Sequence, residues 1–128
     1  MKPELMLLVW AVALTVVQML IAATGAMLQV GVPALAGNRE NLPAITGWAG
    51  RACRAHRNML ENLVLFAALV IVVVMTGKSN ATTLLGAQIF LWARVAYAAV
   101  YLAGIPWLRT GVWLVSMVGL VMLFLPLI

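Results

Sequence analysis

Arg51-Ala-Cys53-Arg54-Ala-His56-Arg57-Asn58-Met-Leu-Glu61-Asn62 runs without a break into Leu63–Met75, a purely apolar stretch of 13 residues. At helical rise that stretch covers only about 20 Å, against a hydrocarbon core of roughly 30 Å. To cross a bilayer, the helix has to draw part of its charged half below the membrane surface. Projected at about 100° per residue, Arg51, Arg54, Asn58, Glu61 and Asn62 fall within an arc of about 100°. His56 points nearly the opposite way and Arg57 lies between. Each central charge facing lipid would cost about 2.5–3.5 kcal/mol. The face is therefore expected to line a polar cavity walled by protein, and that cavity is the candidate site.

The rest of the chain supports a membrane setting. Of 128 residues, 66% are hydrophobic and only 9% charged, which argues against a water-soluble globular domain. The mean hydropathy of +1.11 points the same way. A net charge of +5 would ordinarily raise nucleic acid as a partner. Here the arginines sit beside or inside apolar segments and leave no solvated basic face, so no nucleic acid is expected. Cys53 is the only cysteine. It cannot form an intrachain disulfide, and its expected role is packing.

Four apolar segments emerge in order. The first runs from Leu5 to Val30 after a polar lead, Met1–Glu4, and is far longer than the core of a cleaved signal peptide. Val32-Pro33, Asn38-Arg39-Glu40-Asn41 and Leu42-Pro43 mark a loop over Gly31–Gly47. The second segment runs from Trp48 to Met75. Gly77-Lys78-Ser79-Asn80 is a tight turn, which makes the second and third segments antiparallel neighbours. The third, Ala81–Leu102, carries Arg94, Tyr97 and Tyr101 at spacings of three and four. Gly104-Ile-Pro106 breaks it, and the fourth, Val112–Leu125, is short unless Trp107–Thr110 extends it. The expected fold is an all-α membrane protein: a single antiparallel, up-down bundle of four transmembrane helices over residues 1–128. Arg39, Arg51, Arg54, Arg57 and Arg109 flank the first and third loops, against Lys2 and Lys78 on the other side. That bias puts those loops and the site toward the cytoplasm and both termini outside.

Antiparallel packing brings Arg51, Arg54 and Glu61 to the depth of Tyr97, Tyr101, Arg109 and Arg94. With Arg57, five arginines then face one carboxylate, and buried charges persist only when paired. A bound anion is the natural partner, since guanidiniums match carboxylate and phosphate in a bidentate way. Asn58 and Asn62 would orient it, and an amine on the ligand would find Glu61. The simpler alternatives are arginines that merely bind lipid phosphates and an Arg94 that serves as the ion-pair partner of Glu61.

These same residues resemble a known family. Arg54-Ala-His56-Arg57-Asn58-Met-Leu-Glu61-Asn62 is similar to the second-helix signature of the MAPEG family, membrane-associated proteins of eicosanoid and glutathione metabolism. Arg94-x-x-Tyr97-x-x-x-Tyr101, followed by Gly104-Ile-Pro106-x-x-Arg109, resembles its second block. The resemblance implies a homotrimer holding glutathione between protomers. By position it implies that Arg54, Asn58, Glu61, Arg94, Tyr97 and Tyr101 bind the tripeptide, and Arg51, on the same charged face, is a further expected contact. Arg109 would stabilise its thiolate, with Thr110 as a hydroxyl alternative. The implied activity is a detoxifying glutathione transferase or peroxidase acting on a lipophilic small molecule that arrives through the membrane lipids. No metal is implied. Unlike some members, this chain has no Lys or Arg in its first helix. A non-catalytic binding protein is the second reading. A small multidrug exporter fits poorly, because its first helix would need a central carboxylate and Glu4 precedes it.

Overall fold

The computed structural model describes all residues, 1–128. Pro3–Val30 forms α1 and Gly47–Met75 forms α3, of 28 and 29 residues. Ala81–Ala103 forms α4 and Pro106–Phe124 forms α5, of 23 and 19 residues. A 3₁₀ turn, Leu125–Leu127, prolongs α5. All four are long and apolar enough to cross a membrane. There are no strands, and successive long helices run in opposite directions. The chain is thus an all-α, multi-pass integral membrane bundle. Helix α1 packs along α3 and α4 along α5, with α3 and α1 both meeting α4.

Phe66 of α3 and Phe90 of α4 stack at the centre, their rings 4.1 Å apart, among Met59, Val70, Val73, Ala87, Leu120 and Leu123. Trp10, Val64, Trp92 and Val118 point outward, an arrangement suited to lipid rather than water. At the α4–α5 crossing Gly86 meets Gly119. A Cβ on Gly119 would lie 2.6 Å from the Gly86 carbonyl oxygen and 2.8 Å from the Phe90 nitrogen. Small residues let membrane helices approach this closely. Gly119→Leu is expected to destabilise the bundle by about 1–3 kcal/mol, as overpacking does. An unchanged thermal midpoint in detergent would contradict that crossing.

Three boundaries differ from the sequence expectation. Helix α1 begins at Pro3, so Glu4 is not a lead preceding the helix but a first-turn residue, only 1% exposed. Its Oε2 accepts from the hydroxyls of Ser79 and Thr83, pinning the start of α1 to the α3–α4 turn. Thr83 also forms a reciprocal capping box with Asn80 at the head of α4. The first loop contains a short helix, α2 (Val32–Ala36), and is tied back by Gln29, which pairs with both backbone groups of Thr46. Finally, α5 starts at Pro106 rather than Val112. Proline occupies the first helical turn, where its missing N–H costs nothing. Arg109 and Thr110 therefore ride on a helix and not on a loop.

Candidate functional site

At one end of the bundle α3, α4 and α5 surround two hollows of about 180 and 190 Å³. Asn58 and Tyr97 line both. Arg54, Arg57, Glu61 and Tyr101 complete one; Arg109, Thr110 and Trp113 complete the other. Helical spacing explains the gathering. Residues 54, 58 and 61 lie one turn apart on α3, 97 and 101 on α4, and 109 and 113 on α5.

Asn58 is the pivot. Its Oδ1 accepts from Arg94 Nη2 at 2.8 Å and from Asn62 Nδ2 at 3.1 Å. With both lone pairs engaged, the amide is fixed, and its NH₂ is left as the donor for whatever enters the hollows. Asn62 is buried and also donates to the Asn58 carbonyl at 2.8 Å. Its expected ligand contact is thus replaced by a positioning role.

Arg94 is 1% exposed and lies beneath this floor, its guanidinium carbon 4.2 Å from the centre of the Tyr97 ring. It is not the ion-pair partner of Glu61; Asn58 takes that place. Its Nε and Nη1 have no partner. A buried guanidinium held only by an amide and a ring face keeps most of its positive potential, and the nearby hollows feel it in a low-dielectric setting.

Tyr97 and Tyr101 meet edge-on, 5.5 Å apart at 61°. The Tyr101 ring carries Arg109 at 4.7 Å from its centre, and Tyr101 Oη accepts from Arg54 Nε at 3.2 Å. That leaves the Tyr101 hydroxyl proton available to a ligand. Thr110 Oγ1 donates to the Pro106 carbonyl at 3.3 Å, so its proton is committed to its own helix. Arg51 is not brought into the hollows. Its Nε donates to the Leu102 carbonyl at 3.0 Å, capping the end of α4 beside Gly104, whose φ of +78° closes that helix.

Trp113 was not anticipated as a lining residue. Its spacing of four from Arg109 was the available signal, hidden by starting the helix at Val112. His56 and Cys53 lie on the other side of α3, in a separate apolar cavity with Arg39, and Cys53 Sγ packs 3.9 Å from the Ala22 carbonyl oxygen.

A four-span helical bundle with a cleft of arginines, tyrosines and an oriented amide at one end defines a class: polytopic membrane proteins with an intramembrane polar cleft. Residues 5–128 match the model of the MAPEG family, and the chain belongs to that family. Membership places it among membrane proteins connected with glutathione and eicosanoid metabolism, not all of which are transferases. No curated protein and no solved structure matches it.

Proposed function

We propose that the cleft binds glutathione and favours its thiolate for attack on a lipophilic electrophile or hydroperoxide arriving through the bilayer. The observation that carries this reading is the convergence of Arg54, Arg109, the Asn58 amide and the Tyr101 hydroxyl on two adjoining hollows beside Arg94, whose Nε and Nη1 have no partner. Glutathione fits that donor set, because its two carboxylates match guanidinium and amide donors and its ammonium matches Glu61. When bound, it supplies a thiol of ordinary pKa about 8.5. Arg54, Asn58, Glu61 and Tyr101 hold the peptide. Arg94 and Asn62 fix Asn58. Arg109 stands at the other hollow, where a cation favours an ionised sulfur. The site opens toward the cytoplasm, on the side favoured by the basic-residue bias.

Purified protein in mild detergent, given glutathione and a small aromatic electrophile, should form the conjugate faster than glutathione alone. Binding with no turnover of either an electrophile or a hydroperoxide would make the chain a binding protein instead.

The same reading calls for a homotrimer. Each hollow is smaller than the roughly 300–1,000 Å³ of an ordinary ligand pocket, and Arg54, Arg57 and Glu61 are exposed on a single chain. Charged groups at membrane depth need protein cover, which a neighbouring protomer provides. Native mass spectrometry from mild detergent should show trimers; monomers or dimers alone would count against the composite site.

A further inference from the structure

Away from the arginine cleft, a groove runs between α1 and α4 on the outward face. Its wide part, about 570 Å³, is lined only by apolar side chains, with Trp10 and Trp92 on its rims. Leu14 and Val17 continue it into a narrower hollow of about 90 Å³, floored by the alanines 52, 55, 98 and 99. The one polar residue in either part is Gln18, at this narrow end. It is 7% exposed, and its Oε1 has no hydrogen-bond partner. An unpaired amide group in hydrocarbon is costly, since no water is there to satisfy it.

We infer that this groove binds a lipophile carrying a hydroxyl group, with Gln18 as the hydrogen-bonding partner. Gln18 sits level with Ala52 and Ala55, near the start of α3, and with Ala98, Ala99 and Leu102, in the last turns of α4. The wide part lies nearer the middle of α4, where Trp10 and Trp92 face outward. An apolar chain lying there reaches the buried amide at the narrow end, and the group that meets it has to form a hydrogen bond. A hydroxyl suits the site because it both donates and accepts, while the amide can turn about its last bond to present either end. The small alanine side chains leave the room for the chain. The inference does not depend on glutathione binding.

The test uses the full-length protein in lipid nanodiscs without glutathione. Methyl 12-hydroxystearate and methyl stearate serve as probes, neither bearing a charge that would draw it to the arginines. Tryptophan fluorescence, with Trp10 and Trp92 beside the groove, reports binding. The hydroxylated ester is expected to bind at least about fivefold more tightly, as one hydrogen bond to an otherwise unsatisfied group would give. Gln18→Leu should abolish that preference while keeping the affinity for methyl stearate. Ala99→Phe, which narrows the groove, should weaken both probes. Equal affinity of the two esters for the wild type, or a preference retained in Gln18→Leu, would overturn the assignment. So would a Gln18→Leu protein that loses its oligomeric state by native mass spectrometry, since Gln18 would then be bonding to a second copy.

Discussion

Arg54→Ala is expected to weaken glutathione binding by about 1.5–3 kcal/mol, roughly 10- to 150-fold. The range is that of a hydrogen bond to a charged group. Arg54 is placed to reach its upper part, because its Nε is steadied by Tyr101 Oη at 3.2 Å and the rest of the guanidinium faces the hollow shared with Asn58 and Glu61. Arg54→Lys keeps the charge but loses the planar fork, so it should recover only part of the affinity. Calorimetry in detergent checks both variants. Equal affinity in Arg54→Ala and the wild type would remove this residue from the site. Absence of binding by the wild type would remove glutathione itself.

What the sequence reveals of such a site depends on which helix face a residue shares. Arg54, Asn58 and Glu61 were legible because a 3.6-residue period on one apolar helix puts them together whatever the neighbours do. Tyr97 and Tyr101 were legible for the same reason. What lay beyond reach was direction within a shared arc. Arg51 belongs to the same arc as Arg54, yet one turn nearer the helix start it meets the last carbonyls of α4 and is used as a cap. Arg94 is expected at the ligand, with an ion pair to Glu61 as the simpler alternative, but its guanidinium instead donates to Asn58. Such choices depend on the axial offset between α3 and α4, which is set partly by the far end of the bundle. There Glu4 gathers Ser79 and Thr83 and fixes the α3–α4 turn. Glu4 read as a solvated lead because nothing local distinguishes a terminal carboxylate from a buried one. The start of α5 was missed through the opposite error: Gly104 and Pro106 are breakers of α4, but Pro106 is also a good first residue for the helix that follows.

Arg109→Ala is expected to slow conjugation far more than it weakens glutathione binding. A charge that interacts mainly with ionised sulfur favours the reactive form over the resting one, so its removal is felt in the rate. If the arginine lowers the thiol pKa by two units, its loss costs about 2.7 kcal/mol, a hundredfold in the ionisation constant and roughly 25-fold in thiolate at pH 7. Placement on the first turn of α5 supports the assignment. The guanidinium lies 4.7 Å from the Tyr101 ring centre and lines the hollow that holds Asn58, Tyr97 and Trp113. The N-terminal end of α5 adds its own positive potential in the same direction. Thr110, by contrast, spends its proton on the Pro106 carbonyl, so Thr110→Val should change the rate by less than about tenfold. The measurement is thiolate ultraviolet absorbance of the glutathione complex across pH, read beside the conjugation rate. Wild-type protein should show thiolate near neutral pH, and Arg109→Ala should move its appearance upward by about two pH units. The same thiol titration in both proteins would take Arg109 out of the chemistry and leave Arg57 as the next cation lining the cleft. A thiol that stays protonated in both would mean that the cleft binds glutathione without activating it.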